Sequence, residues 1–89
     1  MAWQIRFTAQ ADKAMSKLDV QINRRIIAFL EERIANLDDP RSVGEALKGS
    51  RLGEFWKYRV GDWRIICDIQ DDALVILALN IGNRREVYK

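Results

Sequence analysis

The sequence predicts an α+β fold: an N-terminal strand and two helices come first, and an antiparallel sheet of three further strands follows, with the helices packed on one face. Two observations predict this class. Between Thr8 and Leu37 the apolar residues recur at helical spacings of three and four, whereas from Gly53 onward they recur with the period of two that strands show. A chain of 89 residues is large enough for one core and too small for two, so residues 1–89 are expected to form a single domain.

Alternation and capping residues define the predicted elements of the first half. Residues 3–7 alternate in polarity with three apolar side chains on one side, as in a strand with one buried face. Thr8 is a candidate N-cap for a first helix, and Asp19 is one for a second, longer helix over residues 22–37. A further turn of helix is expected at residues 43–47.

Residues 56–65 predict a hairpin that places cations on one face. Gly61-Asp62 is a two-residue turn of the kind that takes glycine first, and the residues around it alternate in polarity. This turn would pair Val60 with Trp63, Arg59 with Arg64, Tyr58 with Ile65 and Lys57 with Ile66. Like charges directly opposite each other, as at Arg59 and Arg64, destabilise a sheet by up to about 1 kcal/mol. An anionic ligand is the simplest reason for keeping them there.

The last part of the chain predicts a central strand and a final extended piece. Residues 73–81 are an almost unbroken apolar run, typical of a central strand, and residues 84–88 are expected to form the final extended piece. Alternation then gives the side chains on the sheet face that the helices leave open. They are Gln4 and Arg6 on the first strand, Phe55, Lys57 and Arg59 on the second, Arg64, Ile66 and Asp68 on the third, and Leu74, Ile76, Ala78, Asn80, Arg84, Glu86 and Tyr88 on the last. The apolar members of this face predict a contact with a protein partner.

Cations interleaved with aromatic rings suit single-stranded nucleic acid, because the charges hold phosphates and the rings stack on bases. An ordinary solvated face with surface arginines is the alternative. The chain has no histidine and one cysteine, Cys67, so it offers no zinc site. The acidic pairs Asp38-Asp39 and Asp71-Asp72 are expected to serve turns rather than a metal. Neither a metal nor another cofactor is expected.

Cleavage of RNA without a metal or histidine can use the RNA's own 2′-hydroxyl as the nucleophile. The reaction needs a base for that hydroxyl, cations for the charged phosphorane and a proton for the leaving 5′-oxygen. Lys57 or Tyr88 is the candidate base. Arg64 and Arg59 are candidate bidentate phosphate clamps.

The bulk properties limit other functions. A net charge of +2 is too small for a polyanion-binding tail, so a basic site must arise from the distribution of charge. No apolar run approaches the ~20 residues needed to span a bilayer, and the first residues lack the basic and apolar regions of a secretory signal. A cytoplasmic protein without membrane contact is expected.

Leu47-Lys48-Gly49 precedes the hairpin, and Gly82-Asn83-Arg84-Arg85-Glu86-Val87-Tyr88 follows it. Together with the hairpin sequence WKYRVGDWRII, these stretches resemble the RelE/ParE superfamily of bacterial and archaeal toxins. The resemblance covers the whole chain and implies a RelE-like fold. It departs from the family pattern at Asn83, where many relatives have histidine, and at Cys67, where tyrosine is common.

The resemblance implies the toxin of a type II toxin–antitoxin system, a ribosome-dependent mRNA endonuclease that cuts the codon in the A site. It implies a small RelB-like antitoxin as partner, besides the ribosome and mRNA, and a toxin–antitoxin complex that binds its own operator DNA through the antitoxin. The catalytic set that it implies is Lys57, Arg59, Arg64, Arg84 and Tyr88. Further RNA-binding candidates are Arg6, Lys48, Arg51, Phe55 and Arg85.

Two alternatives remain open at this point. One is a ParE-type toxin, which has the same fold and inhibits DNA gyrase without nuclease activity. The other is a toxin-like domain retained only within an autoregulatory DNA-binding complex. Members of the ParE-type branch generally lack the full basic and tyrosine set, so its presence favours RNA cleavage.

Overall fold

The computed structural model describes residues 2–47 and 55–84. Within these residues, two helices pack on one mixed five-stranded sheet with the strand order β1-β5-β4-β3-β2. The strands are β1 Gln4–Phe7, β2 Glu45–Ala46, β3 Trp56–Val60, β4 Trp63–Gln70 and β5 Val75–Asn83. The helices are α1 Ala9–Ser16 and α2 Val20–Ala28, and a π-helical segment, Phe29–Ile34, continues α2. Short 3₁₀ turns lie at Pro40–Ser42 and Asp71–Ala73.

Both helices begin at the predicted capping residues. The Thr8 hydroxyl accepts a hydrogen bond from the backbone N–H of Ala11 at 3.1 Å, and the Asp19 carboxylate accepts one from Gln21 at 3.1 Å. Each cap satisfies one of the amide groups that a helix start leaves without a partner. The change of α2 into a π-helical segment at Phe29 was not predicted, because a spacing of three and four fits a regular helix equally well.

The core lies between the helices and one face of the sheet, as predicted. Ala11 and Met15 of α1, Ile26 of α2, and Leu30 and Ile34 of the π-helical segment are buried there. Their sheet partners are Tyr58, Val60, Ile65, Cys67, Ile69, Ile76, Ala78 and Ile81. Burial of each large apolar side chain stabilises the fold by about 1.5–3 kcal/mol. Among the described residues, no helix is both long and apolar enough to cross a membrane.

The predicted hairpin is confirmed residue by residue. β3 and β4 pair Val60 with Trp63, Arg59 with Arg64, Tyr58 with Ile65 and Lys57 with Ile66. Gly61 has a φ of +59°, a conformation that glycine adopts without steric cost. β4 and β5 are antiparallel as predicted, and β1 pairs in parallel with β5, with Gln4 opposite Val75.

The helical turn expected at residues 43–47 is wrong. This segment forms β2, in which Glu45 lies opposite Lys57 and Ala46 opposite Trp56. Gly44 has a φ of +83°, which a regular helix does not allow. The residues after Gly44 instead form β2, because the free edge of β3 offers them hydrogen-bond partners.

The expectation that Ile76 and Ala78 lie on the open face is also wrong. Both are fully buried in the core. Ile66 pairs with Asn80 and Cys67 with Ala78, so Leu79 is an extra residue on β5. Such a bulge reverses the alternation of side chains between the two faces. Alternation counted back from Arg84 therefore assigns the residues before Leu79 to the wrong face of the sheet.

Leu74 likewise does not belong to the open face, because it packs against the core at the end of the Asp71–Ala73 turn. The open face therefore does not take its apolar surface from Leu74 and Ile76; on this stretch of β5, Val75 and Leu77 pair with the open-face residues Gln4 and Arg6. The final strand expected at residues 84–88 lies outside the described residues except for Arg84.

Candidate functional site

A cleft of about 550 Å³ lies between the π-helical segment, the loop before β2 and strands β3 and β4. We call it the basic cleft. Four of the five predicted catalytic residues meet there, namely Lys57, Arg59, Arg64 and Arg84. The other lining residues are Phe29, Arg33, Val43, Gly44 and Glu45.

Arg64 is the most constrained cation of the cleft. Its side chain is buried, with 8% of the residue exposed, and Nη1 donates to the carbonyl oxygens of Gly61 at 3.1 Å and Trp63 at 3.2 Å. The turn carbonyls thus hold this guanidinium in place, whereas Arg59 opposite it is exposed. A guanidinium held by backbone groups is positioned before an anion arrives, which limits the entropy lost on binding.

Arg84 and Lys57 reach the cleft through different contacts. The backbone N–H of Arg84 donates to the Asp62 carbonyl at 2.9 Å, so the end of β5 is fixed against the hairpin turn. Lys57 Nζ lies 2.9 Å from Glu45 Oε1, and this ion pair joins β3 to β2 at the cleft wall.

The wall formed by the loop before β2 is held by close contacts to β3. Trp56 Nε1 donates to the Val43 carbonyl at 2.7 Å, and the buried Tyr58 hydroxyl donates to the Pro40 carbonyl at 2.6 Å. A Cβ on Gly44 would lie 2.5 Å from the Lys57 carbonyl oxygen, so only glycine fits at this position. The backbone of the wall therefore lies directly against the strand that carries Lys57 and Arg59.

Phe29 and Arg33 form the opposite wall. The Phe29 ring packs edge-on against Tyr58 at a centroid distance of 5.9 Å, and the Arg33 guanidinium lies 5.6 Å from the Phe29 centroid. The sequence analysis did not single out these two residues, because helical spacing does not show which positions of a helix face the neighbouring strand. It also missed Gly44 and Glu45, although a glycine next to a polar residue before a strand was an available signal for a turn.

The remaining predicted site residues lie outside the basic cleft or outside the described residues. Arg6 is exposed on β1, at the opposite edge of the sheet, where its Nη2 donates to Gln4 Oε1 at 3.2 Å. Phe55 is half-buried and does not line the cleft. Lys48, Arg51, Arg85 and Tyr88 lie outside the described residues.

Cys67 is a core residue, as predicted. It is fully buried, and burial raises the pKa of its thiol far above the ordinary range. In the part of the chain that the structure describes, no group of three or more Cys, Asp or Glu side chains is arranged to hold a metal ion.

Comparison with known proteins gives the family. A sequence model described as "ParE toxin of type II toxin-antitoxin system, parDE" matches residues 5–88. The chain belongs to this family. The predicted membership of the RelE/ParE superfamily is thereby confirmed.

Other members of the superfamily are similar over their whole length. Toxin RelG of Mycobacterium tuberculosis is 26% identical over 89 residues, which cover 100% of this chain and 99% of that protein. The toxin–antitoxin complex RelBE2 from the same species contains a chain with a TM-score of 0.84 and 23% identity, with 97% of this chain and 95% of that one covered. The intact RelBE toxin–antitoxin complex of E. coli contains a chain with a TM-score of 0.73 and 20% identity, with 92% of this chain and 96% of that one covered. These structures confirm the predicted α+β fold of this ParE-family toxin.

Proposed function

We propose that this toxin is a ribosome-dependent mRNA endonuclease that cuts the codon in the A site. The observation that carries the proposal is the basic cleft, in which five cations face one acidic side chain, Glu45, that is itself paired with Lys57. Cleavage of a phosphodiester builds negative charge on the phosphorus oxygens in the transition state, and cations fixed in advance stabilise that charge most effectively.

The proposed reaction is attack by the 2′-hydroxyl on the adjacent phosphorus. A bond forms between the 2′-oxygen and phosphorus while the bond from phosphorus to the 5′-oxygen breaks. A base takes the 2′-hydroxyl proton, an acid returns a proton to the 5′-oxygen, and the product ends in a 2′,3′-cyclic phosphate. Arg64, Arg59 and Arg84 would hold the charged phosphate, and Lys57 or Tyr88 would be the base.

Because the chain has no histidine, the site lacks the histidine pair of a self-sufficient nuclease, and the ribosome would have to bend the mRNA into in-line geometry. We therefore expect cleavage of mRNA in a bacterial translation extract, and far slower cleavage of naked RNA at the same toxin concentration. A 2′-deoxy or 2′-O-methyl group at the cut position should block the reaction. Cleavage of the 2′-deoxy message at the normal rate would exclude the internal nucleophile.

Substitution of Tyr88 by phenylalanine separates the two candidate bases. The ring remains available for stacking while the hydroxyl is lost, so cleavage should slow with little change in ribosome binding. Full activity of Tyr88→Phe would leave Lys57 as the base. A Lys57→Met variant, which keeps an unbranched stem and removes the amine, is the matched comparison.

Inhibition of DNA gyrase is the second candidate function, because the matching family is described as that of ParE toxins. The same extract experiment distinguishes the two if plasmid supercoiling is recorded alongside the mRNA ends. Loss of supercoiling without new mRNA ends would favour gyrase inhibition.

We also propose a RelB-like antitoxin as partner. The RelBE2 and E. coli RelBE structures are toxin–antitoxin complexes, and this chain has the same fold as the toxins in them. An antitoxin segment with acidic residues would compete with RNA for the basic cleft. We expect the pair to bind its own operator DNA through the antitoxin, and we expect both proteins in the cytoplasm, where ribosomes and mRNA are.

A further inference from the structure

A second depression continues the basic cleft along the helix. It measures about 530 Å³ and lies between α2, its π-helical continuation and the tip of the β3–β4 hairpin. We call it the helix groove. Its lining residues are Arg25, Ala28, Phe29, Glu32, Arg33, Arg59, Val60 and Gly61. Phe29, Arg33 and Arg59 line both depressions, so the two are continuous.

The helix groove carries three exposed guanidinium groups. Arg25, Arg33 and Arg59 face a single acidic side chain, Glu32. Among the residues that the structure describes, none forms a salt bridge with any of these three arginines. A Cβ on Gly61 would lie 3.4 Å from Arg25 Nη1, so Arg25 reaches the hairpin tip and closes the far end of the groove.

Phe29 and Arg33 of the π-helical segment lie at the junction of the two depressions. Phe29 and Arg33 are four residues apart on the same side of the segment, with the guanidinium 5.6 Å from the ring centroid. Single π-helical turns inside helices occur frequently at functional sites. Here the segment carries a flat cation and an aromatic ring side by side at the exit from the basic cleft.

We infer that the helix groove binds the RNA phosphate next to the scissile one, with Arg33 as its main contact. The inference rests on the proposed function. A single strand carries a phosphate at every nucleotide, so a strand whose scissile phosphate lies among Lys57, Arg64 and Arg84 must leave the cleft with another phosphate close by. The groove supplies guanidinium groups for that phosphate and flat groups on which a base can stack. Proteins that bind single-stranded RNA use this combination.

A double-mutant cycle between protein and RNA tests this contact. The RNA is an mRNA with 2′-O-methyl at the cut position, bound to bacterial ribosomes, and it carries a neutral methylphosphonate in turn at each linkage flanking the cut. We expect Arg33→Ala to weaken toxin binding about tenfold, the size of one charge-assisted hydrogen bond. With the methylphosphonate at the contacted linkage, the same substitution should have no further effect.

Three variants act as controls. Arg24 is an exposed arginine of the same helix that lines neither depression, so Arg24→Ala should leave binding unchanged. Arg33→Lys keeps the charge and should restore part of the binding. Glu32→Gln removes the acidic group of the groove and should tighten binding by about twofold, an effect that loss of structure does not produce.

The outcomes separate this inference from the proposed function. If Arg33→Ala and the methylphosphonate act independently at every flanking linkage, Arg33 contacts something other than this RNA and the inference is wrong, while the nuclease proposal stands. The inference is also wrong if Arg33→Ala weakens binding of the antitoxin but not of the mRNA. If the wild-type toxin cleaves no mRNA on ribosomes, both fail.

Discussion

Arg59 and Arg64 lie opposite each other on neighbouring strands, yet their surroundings differ. Arg64 is buried and donates to the carbonyl oxygens of Gly61 and Trp63, whereas Arg59 is exposed between the basic cleft and the helix groove. The like-charge pair is therefore tolerated because one member is held by backbone acceptors. Arg64 therefore has a role in folding as well as in binding, whereas Arg59 has a role in binding alone.

Alanine substitutions at the two positions should differ in stability and agree in activity. Arg64→Ala removes two hydrogen bonds and a buried stem, so the free energy of unfolding should fall by about 1–2 kcal/mol. Arg59→Ala should change it by less than about 0.5 kcal/mol. Each variant should lose about 10²-fold in cleavage rate, as expected when one donor to the transition state is lost. Urea unfolding and cleavage in translation extract measure the two effects, and an inactive but fully stable Arg64→Ala variant would contradict the structural role.

Among the elements that the structure describes, β2 is the shortest, with two residues, and it has a direct effect on the site. Gly44 supplies the backbone conformation that leads into β2, and Trp56 donates a hydrogen bond to Val43 just before it. The ion pair between Glu45 and Lys57 joins β2 itself to β3. Because Glu45 contacts Lys57, a displacement of β2 would also displace a cation of the basic cleft.

Two glycine substitutions test how tightly β2 is held. Gly61→Ala places a side chain at φ +59° with the flexible end of Arg25 3.4 Å away, so it should cost about 1 kcal/mol. Gly44→Ala adds a backbone overlap to the same conformational cost and should cost at least about 2 kcal/mol. Thermal unfolding of the two variants gives the comparison. Equal losses would show that the loop before β2 moves freely away from β3.

The hairpin, the caps and the helix-covered core could be predicted because each depends on local features. A two-residue turn fixes its own register, and a capping side chain bonds to an amide two or three residues away. β2 and the bulge at Leu79 could not, because both depend on the neighbouring strand. The site followed the same division: the hairpin cations were predicted to lie together, whereas the place of Phe29 and Arg33 at the cleft depends on how the helix packs against β3.

At the scale of the whole molecule, two buried acids make stability sensitive to alkaline pH. Burial raises the pKa of both the Cys67 thiol and the Tyr58 hydroxyl above their ordinary values of about 8.5 and 10. Above those values the unfolded chain releases protons that the folded protein keeps. The stability that these groups confer is therefore complete below about pH 8.5 and decreases as the pH rises.

The free energy of unfolding should decline above about pH 8.5 and more steeply above about pH 10. Each group contributes a slope of about 1.4 kcal/mol per pH unit once its unfolded form ionises. Cys67→Ala should remove the first part of the decline, and Tyr58→Phe the second. Urea titrations at pH 7, 9 and 10.5 measure both effects. A pH dependence that neither variant alters would assign the alkaline loss to other groups.

The parallel pairing of the first strand with the last has a consequence for the timing of folding. Thr8 donates to a carbonyl 71 residues away, and β5 is the strand between β1 and β4. Contacts of such high sequence separation slow folding, because a long loop must close before they form. Until β5 and the residue after it, Arg84, have been synthesised, a nascent chain therefore lacks the strand that joins β1 to the rest of the sheet. We expect the toxin to be inert up to that point, which leaves the antitoxin an interval in which to bind the emerging chain.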